Sequence, residues 1–391
     1  MSPGLAPSER SQPLFQSFIL GGFECSTQRR SDGRRLDLIV ATGHDRAVKQ
    51  DFEQLIGLGI STVRDGLRWH LIETQPGRYD WSSLRPALQA AHSCGMQVVW
   101  DLCHYGWPDD LDPWGAEYVS RFARFASAAA TVLRQETDGP LLICPVNEIS
   151  YLAWAGGEVA RLNPLARGRG GEFKTQLVRA AIAAIEAVWE VDRDARIIHT
   201  DPVINVMADA ARPQDRPAAE GYRLAQFEGW DMLSGRLAPE LGGRPEYLDV
   251  VGVNYYFDNQ WLYGGPAIGM GHPFYTPLAD ILAETYQRYG RPVLIAETGA
   301  EGRNRPGWFR YVAGEVRDAQ ARGVPVEGIC IYPVVQYPGW EDERECQTGL
   351  LGPLDANLQR AVYRPLAEEV AREQALFRRE PGAAQNGPAL S

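Results

Sequence analysis

The chain has 391 residues, which suits two ordinary domains or one large α/β barrel. Its formal net charge of −11 argues against a surface for nucleic acid or for anionic membranes, so we expect neither as a partner. Residues 1–13 carry no apolar segment after a basic start, and no run is long enough to cross a bilayer, so we expect a cytoplasmic protein that is monomeric or weakly oligomeric.

Eight apolar runs alternate with eight stretches of helical periodicity. The runs predict strands at 18–23, 60–69, 96–104, 141–148, 196–201, 248–256, 292–297 and 326–335. The periodic stretches predict helices at 45–58, 82–94, 118–133, 173–191, 219–233, 278–289, 308–321 and 361–377. Polar ends at residues 1–13 and 379–391 predict disorder, which leaves a single folded unit at 14–378.

This alternation predicts an α/β fold made of one (β/α)8 TIM barrel. Nearly continuous apolar strands are typical of a parallel sheet that is covered on both faces, and eight strand–helix units close into a barrel. A doubly wound open sheet is the structural alternative. It needs a glycine-rich phosphate turn after the first strand, but Gly21 and Gly22 lie within that strand.

Each predicted strand ends in polar or aromatic residues that a hydrophobic core would reject. They are Glu24, Gln28, Arg64, Trp69, Asp101, His104, Asn147, Glu148, His199, Asp201, Asn254, Tyr256, Glu297, Tyr332 and Trp340. In a parallel barrel all of these ends lie at one pole, where the active sites of this fold are found. A polar cavity with aromatic walls suits a carbohydrate, and we predict no metal and no cofactor.

Two of these residues are carboxylic acids that follow buried strands. Glu148 ends the run 141–148, and Glu297 ends the run 292–297. A pair of carboxyl groups facing one cavity is the equipment for cleaving a glycosidic bond. We predict that these two glutamates are the catalytic residues, and that configuration is retained with the two groups roughly 5–5.5 Å apart.

The sequence resembles the clan A glycoside hydrolases, and within them most resembles family 1, the β-glucosidase family. The resemblance covers roughly residues 15–370 and rests on a series of short motifs in the same order. The motifs are Gly21-Gly-Phe-Glu-Cys-Ser-Thr-Gln28, Arg64 five residues before Trp69, His104-Tyr-Gly-Trp-Pro108, Asn147-Glu148, Asn254-Tyr-Tyr256 and Glu297-Thr-Gly299.

The resemblance implies a retaining β-glycosidase in which Glu148 is the acid/base and Glu297 is the nucleophile, and it implies a role for each of the other matching residues. Gln28, His104 and Asn147 would bind sugar hydroxyls, Tyr256 would bind substrate and hydrogen-bond the nucleophile, and Trp340 would form the floor of the subsite. Arg64 and Asn254 would support Glu297. A transglycosidase with the same covalent intermediate and a carbohydrate-binding pseudo-enzyme are the alternatives.

Four positions depart from the family pattern. Ile149 stands where the family has proline, Thr298 where it has asparagine and Tyr332 where it has tryptophan. Gly339 replaces the glutamate that binds the outer hydroxyls of the sugar. The glycon and the aglycone therefore stay open.

Overall fold

The computed structural model describes residues 13–379, so the ends predicted to be disordered lie outside the described residues except for Pro13 and Arg379. Eight parallel strands close into a barrel in sequence order, with the last strand beside the first. They are β1 (Ile19–Gly22), β2 (Thr62–Gly66), β3 (Gln97–Cys103), β4 (Leu142–Val146), β5 (Arg196–Pro202), β6 (Val250–Asn254), β7 (Val293–Thr298) and β8 (Val326–Ile331). The predicted TIM barrel is confirmed.

Side chains alternate between the two faces of each strand, as the pleat of a β-strand requires. Val98 and Trp100 on β3 belong to the large core between strands and helices, whereas Val99 belongs to a second cluster together with Leu20 and Leu294. The same alternation carries Arg64 and Asp101 to the inner face. Gly22 is needed because a Cβ there would lie 2.2 Å from the Tyr332 ring.

The helices cover the outside of the barrel. They are α1 (His44–Gly57), α2 (Arg85–Cys94), α3 (Glu117–Gln135), α4 (Gly170–Val191), α5 (Arg216–Leu224), α6 (Glu228–Leu233), α7 (Leu278–Tyr289), α8 (Arg305–Ala321) and α9 (Arg364–Arg379). The helix predicted at 219–233 is in fact α5 and α6, separated by a 3-10 turn at Ala225–Phe227. Among the described residues, the helices are either too short or too polar to cross a membrane.

Several short elements were not predicted. Trp69 begins a one-turn helix, Trp69–Ile72, and packs against Phe122 and Phe125 of α3, so it lies in the outer core and not at the barrel pole. The strand Arg360–Val362 pairs with Leu351–Leu354 where the start of the last helix was predicted. In the long loop after β6, the strand Gln260–Leu262 pairs with Asn205–Met207.

Candidate active site

A cavity of about 940 Å³ opens at the carboxyl ends of the barrel strands. Both predicted catalytic carboxylates line it, as do Tyr256 and Trp340. Glu148 lies two residues beyond the end of β4, and Glu297 is the second-last residue of β7, so the barrel brings the two predicted strand ends to one space.

The backbone at Glu148 is held in an uncommon conformation. Its φ of 50° and ψ of 63° lie in the left-handed region, which costs a non-glycine residue energy. Its amide donates to the Thr200 carbonyl at 3.0 Å, and a short helix, Ile149–Leu152, follows. The Asp201 carboxylate accepts the Ser150 amide at 3.0 Å, so the neighbouring β5 fixes the start of this helix and the direction of Glu148.

The Glu148 carboxyl group contacts only neutral hydrogen-bond donors. Asn254 Nδ2 donates to Oε1 at 2.7 Å, and the Tyr105 hydroxyl donates to Oε2. Burial raises the pKa of Glu148 to about 7, although the bonds from Tyr105 and Asn254 lower it. A carboxyl group with this pKa can keep its proton near neutral pH, as a general acid must.

The Glu297 carboxyl group contacts a cation. Arg64 Nη1 donates to Oε1 at 2.7 Å, and the Tyr256 hydroxyl donates to Oε2 at 3.0 Å. Burial raises the pKa of Glu297 to about 7 as well, against the lowering effect of Arg64. Because only Glu297 has a guanidinium partner, we infer that it loses its proton before Glu148 does.

A buried hydrogen-bond network supports Arg64 from below the cavity. Asp101 accepts both Arg64 Nε at 3.0 Å and Nη2 at 2.7 Å, and also His104 Nδ1 at 2.8 Å. Burial opposes ionisation of Asp101, but Arg64 and His104 outweigh it and lower the pKa of Asp101. The guanidinium is thereby held rigidly against Glu297.

The network also contains the candidate metal ligands of the described residues. One ligand atom each from Cys25, Asp101 and His104 lies within 4.8 Å of the others. Arg64 already supplies the positive charge here, and Nδ1 of His104 is used in the bond to Asp101. These residues therefore form a poor fit to a metal ion.

Two residues predicted to bind sugar hydroxyls are already fully bonded. Asn147 donates to His104 Nε2 at 2.9 Å and to the Tyr105 hydroxyl at 3.0 Å, and its Oδ1 accepts from Arg64 and Thr200. Both nitrogens of His104 are thus occupied. In this arrangement Asn147 and His104 shape the site through Arg64 and Tyr105 and offer no free donor to a ligand.

Two other predicted residues lie differently from expectation. Gln28 is 1% exposed and does not line the cavity; its Oε1 is buried without a hydrogen-bond partner among the described residues. Asn254 was assigned to Glu297, but its side-chain amide donates to Glu148. That prediction is corrected, because the alternation along β6 turns Asn254 inward, where it reaches past β5 to Glu148 beyond the end of β4. Trp340 lines the cavity as predicted, with its ring edge-on to Tyr105 at 5.7 Å.

Two cavity residues were given no role from the sequence. Tyr105 bonds both Glu148 and Asn147, and it has a left-handed φ of 68°. It directly follows the strand-end residue His104 and lies in the motif His104-Tyr-Gly-Trp-Pro108, which are the sequence signals that mark it. Glu24 follows β1 and also lines the cavity, whereas the other strand-end residues His199 and Asp201 do not.

Neither a family model nor a curated protein matches the sequence. Solved structures do match over nearly the whole length. A family 1 β-glucosidase from Thermotoga maritima is 16% identical, with 94% of this chain and 99% of that chain covered and a TM-score of 0.76. The AHE enzyme from Alicyclobacillus herbarius is 17% identical, with coverages of 94% and 100% and a TM-score of 0.76.

A β-glycosidase from Thermosphaera aggregans is 16% identical, with coverages of 93% and 97% and a TM-score of 0.70. The chain has the fold of these proteins. At such identities the likeness establishes the barrel architecture, and the chemistry has to be argued from the residues in the cavity.

Proposed function

We propose that this protein is a β-glycosidase that retains configuration, with Glu148 as acid/base and Glu297 as nucleophile. One observation carries the proposal: two buried carboxyl groups share one cavity, and one contacts a guanidinium while the other contacts only neutral donors. That difference in environment assigns the two roles that glycoside cleavage requires. The β-glucosidases that share the fold agree with this reaction class.

In the first step, Glu148 transfers its proton to the glycosidic oxygen while an Oε of Glu297 attacks the anomeric carbon. The bond between that carbon and the leaving oxygen breaks, and a glycosyl ester on Glu297 forms. Arg64 keeps Glu297 ionised before the attack, and the Tyr256 hydroxyl holds the carboxylate in place.

In the second step, the Glu148 carboxylate removes a proton from water, and the water oxygen attacks the anomeric carbon. The ester bond to Glu297 breaks, Glu297 leaves as a carboxylate, and Glu148 is protonated again. Two inversions at the same carbon give net retention.

The test is turnover of aryl β-glycosides with different glycons by the wild type, Glu148→Gln and Glu297→Gln. We expect one preferred glycon and a loss of about 10²- to 10⁴-fold or more in kcat/KM in each variant. Glu284→Gln is the matched control, because Glu284 lies on α7 and pairs with Arg223 outside the cavity.

Added azide separates the two roles. It should restore cleavage in Glu148→Ala with a β-glycosyl azide as product, and in Glu297→Ala with an α-glycosyl azide. Exchange of these outcomes would reverse the assignment, and an inverted first product seen by NMR would exclude the ester intermediate. An added acceptor alcohol distinguishes a hydrolase from a transglycosidase. A transglycosidase would form the glycoside of that alcohol in place of the free sugar.

A further inference from the structure

A third buried carboxylate, Glu24, lines the cavity and has no cationic partner among the described residues. It lies two residues beyond the end of β1 and is 6% exposed. Its Oε1 accepts the Ser26 amide at 3.1 Å. Within residues 13–379, Glu24 forms no ion pair and makes no hydrogen bond to Glu148 or Glu297, so it belongs to neither half of the proposed catalytic pair.

Most other buried carboxylates have a charged partner. Asp101 pairs with Arg64, and Asp51 pairs with Arg360. Burying a carboxylate without such a partner costs free energy, so its second oxygen is an acceptor that a ligand would satisfy. Glu24 is therefore built to receive hydrogen-bond donors from a molecule in the cavity.

The surroundings of Glu24 indicate which molecule fits. Burial raises the pKa of Tyr337, and the charge of the nearby Glu24 carboxylate raises it further. The pKa of Tyr332 is likewise raised, first by burial and in part by Glu24. Both phenols line the cavity, as does the Trp340 ring. A carboxylate among aromatic rings matches a sugar, whose hydroxyls donate and whose C–H faces stack.

The charges exclude another class of ligand. Arg64 is bound to Asp101 and Glu297, and Lys174, which also lines the cavity, is bound to Glu228 at 2.6 Å. Neither cation is free to neutralise an acidic group near Glu24. A carboxylate or phosphate on the sugar would thus meet uncompensated negative charge.

We propose that Glu24 determines which glycon is bound, by accepting hydrogen bonds from sugar hydroxyls away from the reacting carbon and by repelling glycons that carry an anionic group. The inference rests on the proposed function for the identity of the ligand as a glycon. It makes Glu24 a specificity residue and not a catalytic one.

The experiment is calorimetric binding of aryl β-thioglycosides, which have a sulfur linkage that resists cleavage. Wild type, Glu24→Gln and Glu172→Gln are compared on neutral sugars, their singly deoxygenated analogues and the glucuronide. Glu172 is the matched control because it is an exposed carboxylate outside the cavity with a guanidinium partner, Arg169, at 2.6 Å.

We expect Glu24→Gln to weaken binding of the preferred neutral glycoside about tenfold or more, in line with a lost charge-assisted hydrogen bond. The loss should shrink below about threefold on the analogue that lacks the bound hydroxyl. Binding of the thioglucuronide should improve in Glu24→Gln, which a merely structural role would not produce. Glu172→Gln should change none of these affinities by more than about twofold.

Equal affinities of wild type and Glu24→Gln across the panel would overturn the proposal, and so would a wild type that binds no thioglycoside. Turnover of the matching aryl O-glycosides is measured in parallel. Binding without turnover would overturn the proposed hydrolase while the role of Glu24 is still decided by the affinities. Thermal melting of Glu24→Gln shows whether the variant is folded.

Discussion

The two catalytic candidates differ at the level of single contacts. Burial raises the pKa of both carboxyl groups to about 7, and only Glu297 has a cation against it. The proposed mechanism needs Glu297 ionised and Glu148 protonated, so we expect kcat/KM to follow a bell-shaped pH profile. The acid limb would report Glu297, and the basic limb would report Glu148.

Tyr105→Phe tests the origin of the basic limb. The Tyr105 hydroxyl donates to the Glu148 carboxylate and so stabilises its charged form, which lowers the pKa of Glu148. Removing the hydroxyl raises that pKa, and the basic limb of kcat/KM should move to higher pH. The loss of kcat/KM at the optimum should stay below about tenfold, as expected for one hydrogen bond.

Tyr151→Phe is the control for this change, because Tyr151 also lines the cavity but its hydroxyl makes no hydrogen bond among the described residues. Its basic limb should coincide with that of the wild type. If the basic limb stays in place in Tyr105→Phe, it does not report the ionisation of Glu148.

At the scale of elements, β5 controls Glu148 through the short helix Ile149–Leu152. Asp201 is buried and accepts the amides of Ser150 and Tyr151, and its charge raises the pKa of Glu148 after the larger effect of burial. Asp201→Asn should therefore move the basic limb of kcat/KM to lower pH, opposite to Tyr105→Phe. It should also cost about 1 kcal/mol of stability through the weakened cap, measured by urea unfolding.

If Asp201→Asn is folded and less stable but its basic limb of kcat/KM does not move, Asp201 acts only as a helix cap. The double variant with Tyr105→Phe provides a second check. If both residues act on Glu148 alone, their opposite shifts should largely cancel.

A buried charge network ties α1 to β2 and to the strand Arg360–Val362. His44 contacts Asp51 at 2.7 Å and Asp65 at 3.2 Å, and Arg360 contacts Asp51 at 2.6 Å. Burial would lower the pKa of His44, but Asp65 and Asp51 outweigh it and raise the pKa to about 9. The folded protein thus binds a proton more tightly than the unfolded chain.

The network predicts how stability varies with pH. Because the folded pKa of His44 lies above the unfolded value of about 6.5, its contribution is complete below pH 6.5 and is lost as pH rises through about 9. Urea unfolding at pH 6 and pH 9 should show a decrease of a few kcal/mol. The free energy of unfolding should fall less between these pH values in His44→Gln. An equal fall in the wild type and in His44→Gln would show that other groups cause it.

The sequence predicted the arrangement of the strands better than the positions of single side chains. Strand periodicity predicted the barrel and the meeting of Glu148 with Glu297, because parallel strands carry their ends to one pole. It failed at Trp69, where one helical turn redirects the ring into the outer core, and at Gln28, six residues beyond the end of β1. Side chains after a strand end follow loop conformation, which periodicity does not encode.

The sequence also could not show which polar groups already have all their hydrogen-bond partners within the protein. Asn147 and His104 are polar residues at strand ends, like Glu148, yet their donors and acceptors are consumed by Arg64, Asp101 and Tyr105. Whether a polar group is free for a ligand depends on neighbours from other strands. Only the closed barrel brings these together.

For the whole molecule, we expect the fold to depend on the last helix, α9. α9 buries Leu366 and Val370, which are 2% and 1% exposed, and its Glu369 and Glu373 pair with Arg310 and Arg317 of α8. Each buried aliphatic side chain contributes about 1.5–3 kcal/mol, against a typical total stability of about 5–15 kcal/mol. A chain ending at residue 363 would also expose the face of α8 that α9 covers.

We therefore expect the chain that ends at residue 363 to lack a cooperative thermal transition in calorimetry. A chain that ends at residue 379 keeps α9 and removes only the segment predicted to be disordered, so its melting temperature and its kcat/KM on the preferred aryl glycoside should equal those of the full chain. A cooperative transition in the shorter chain would show that the barrel closes without α9. If the chain that ends at residue 379 melts at a lower temperature than the full chain, the prediction that the C-terminal segment adds nothing to the fold is wrong.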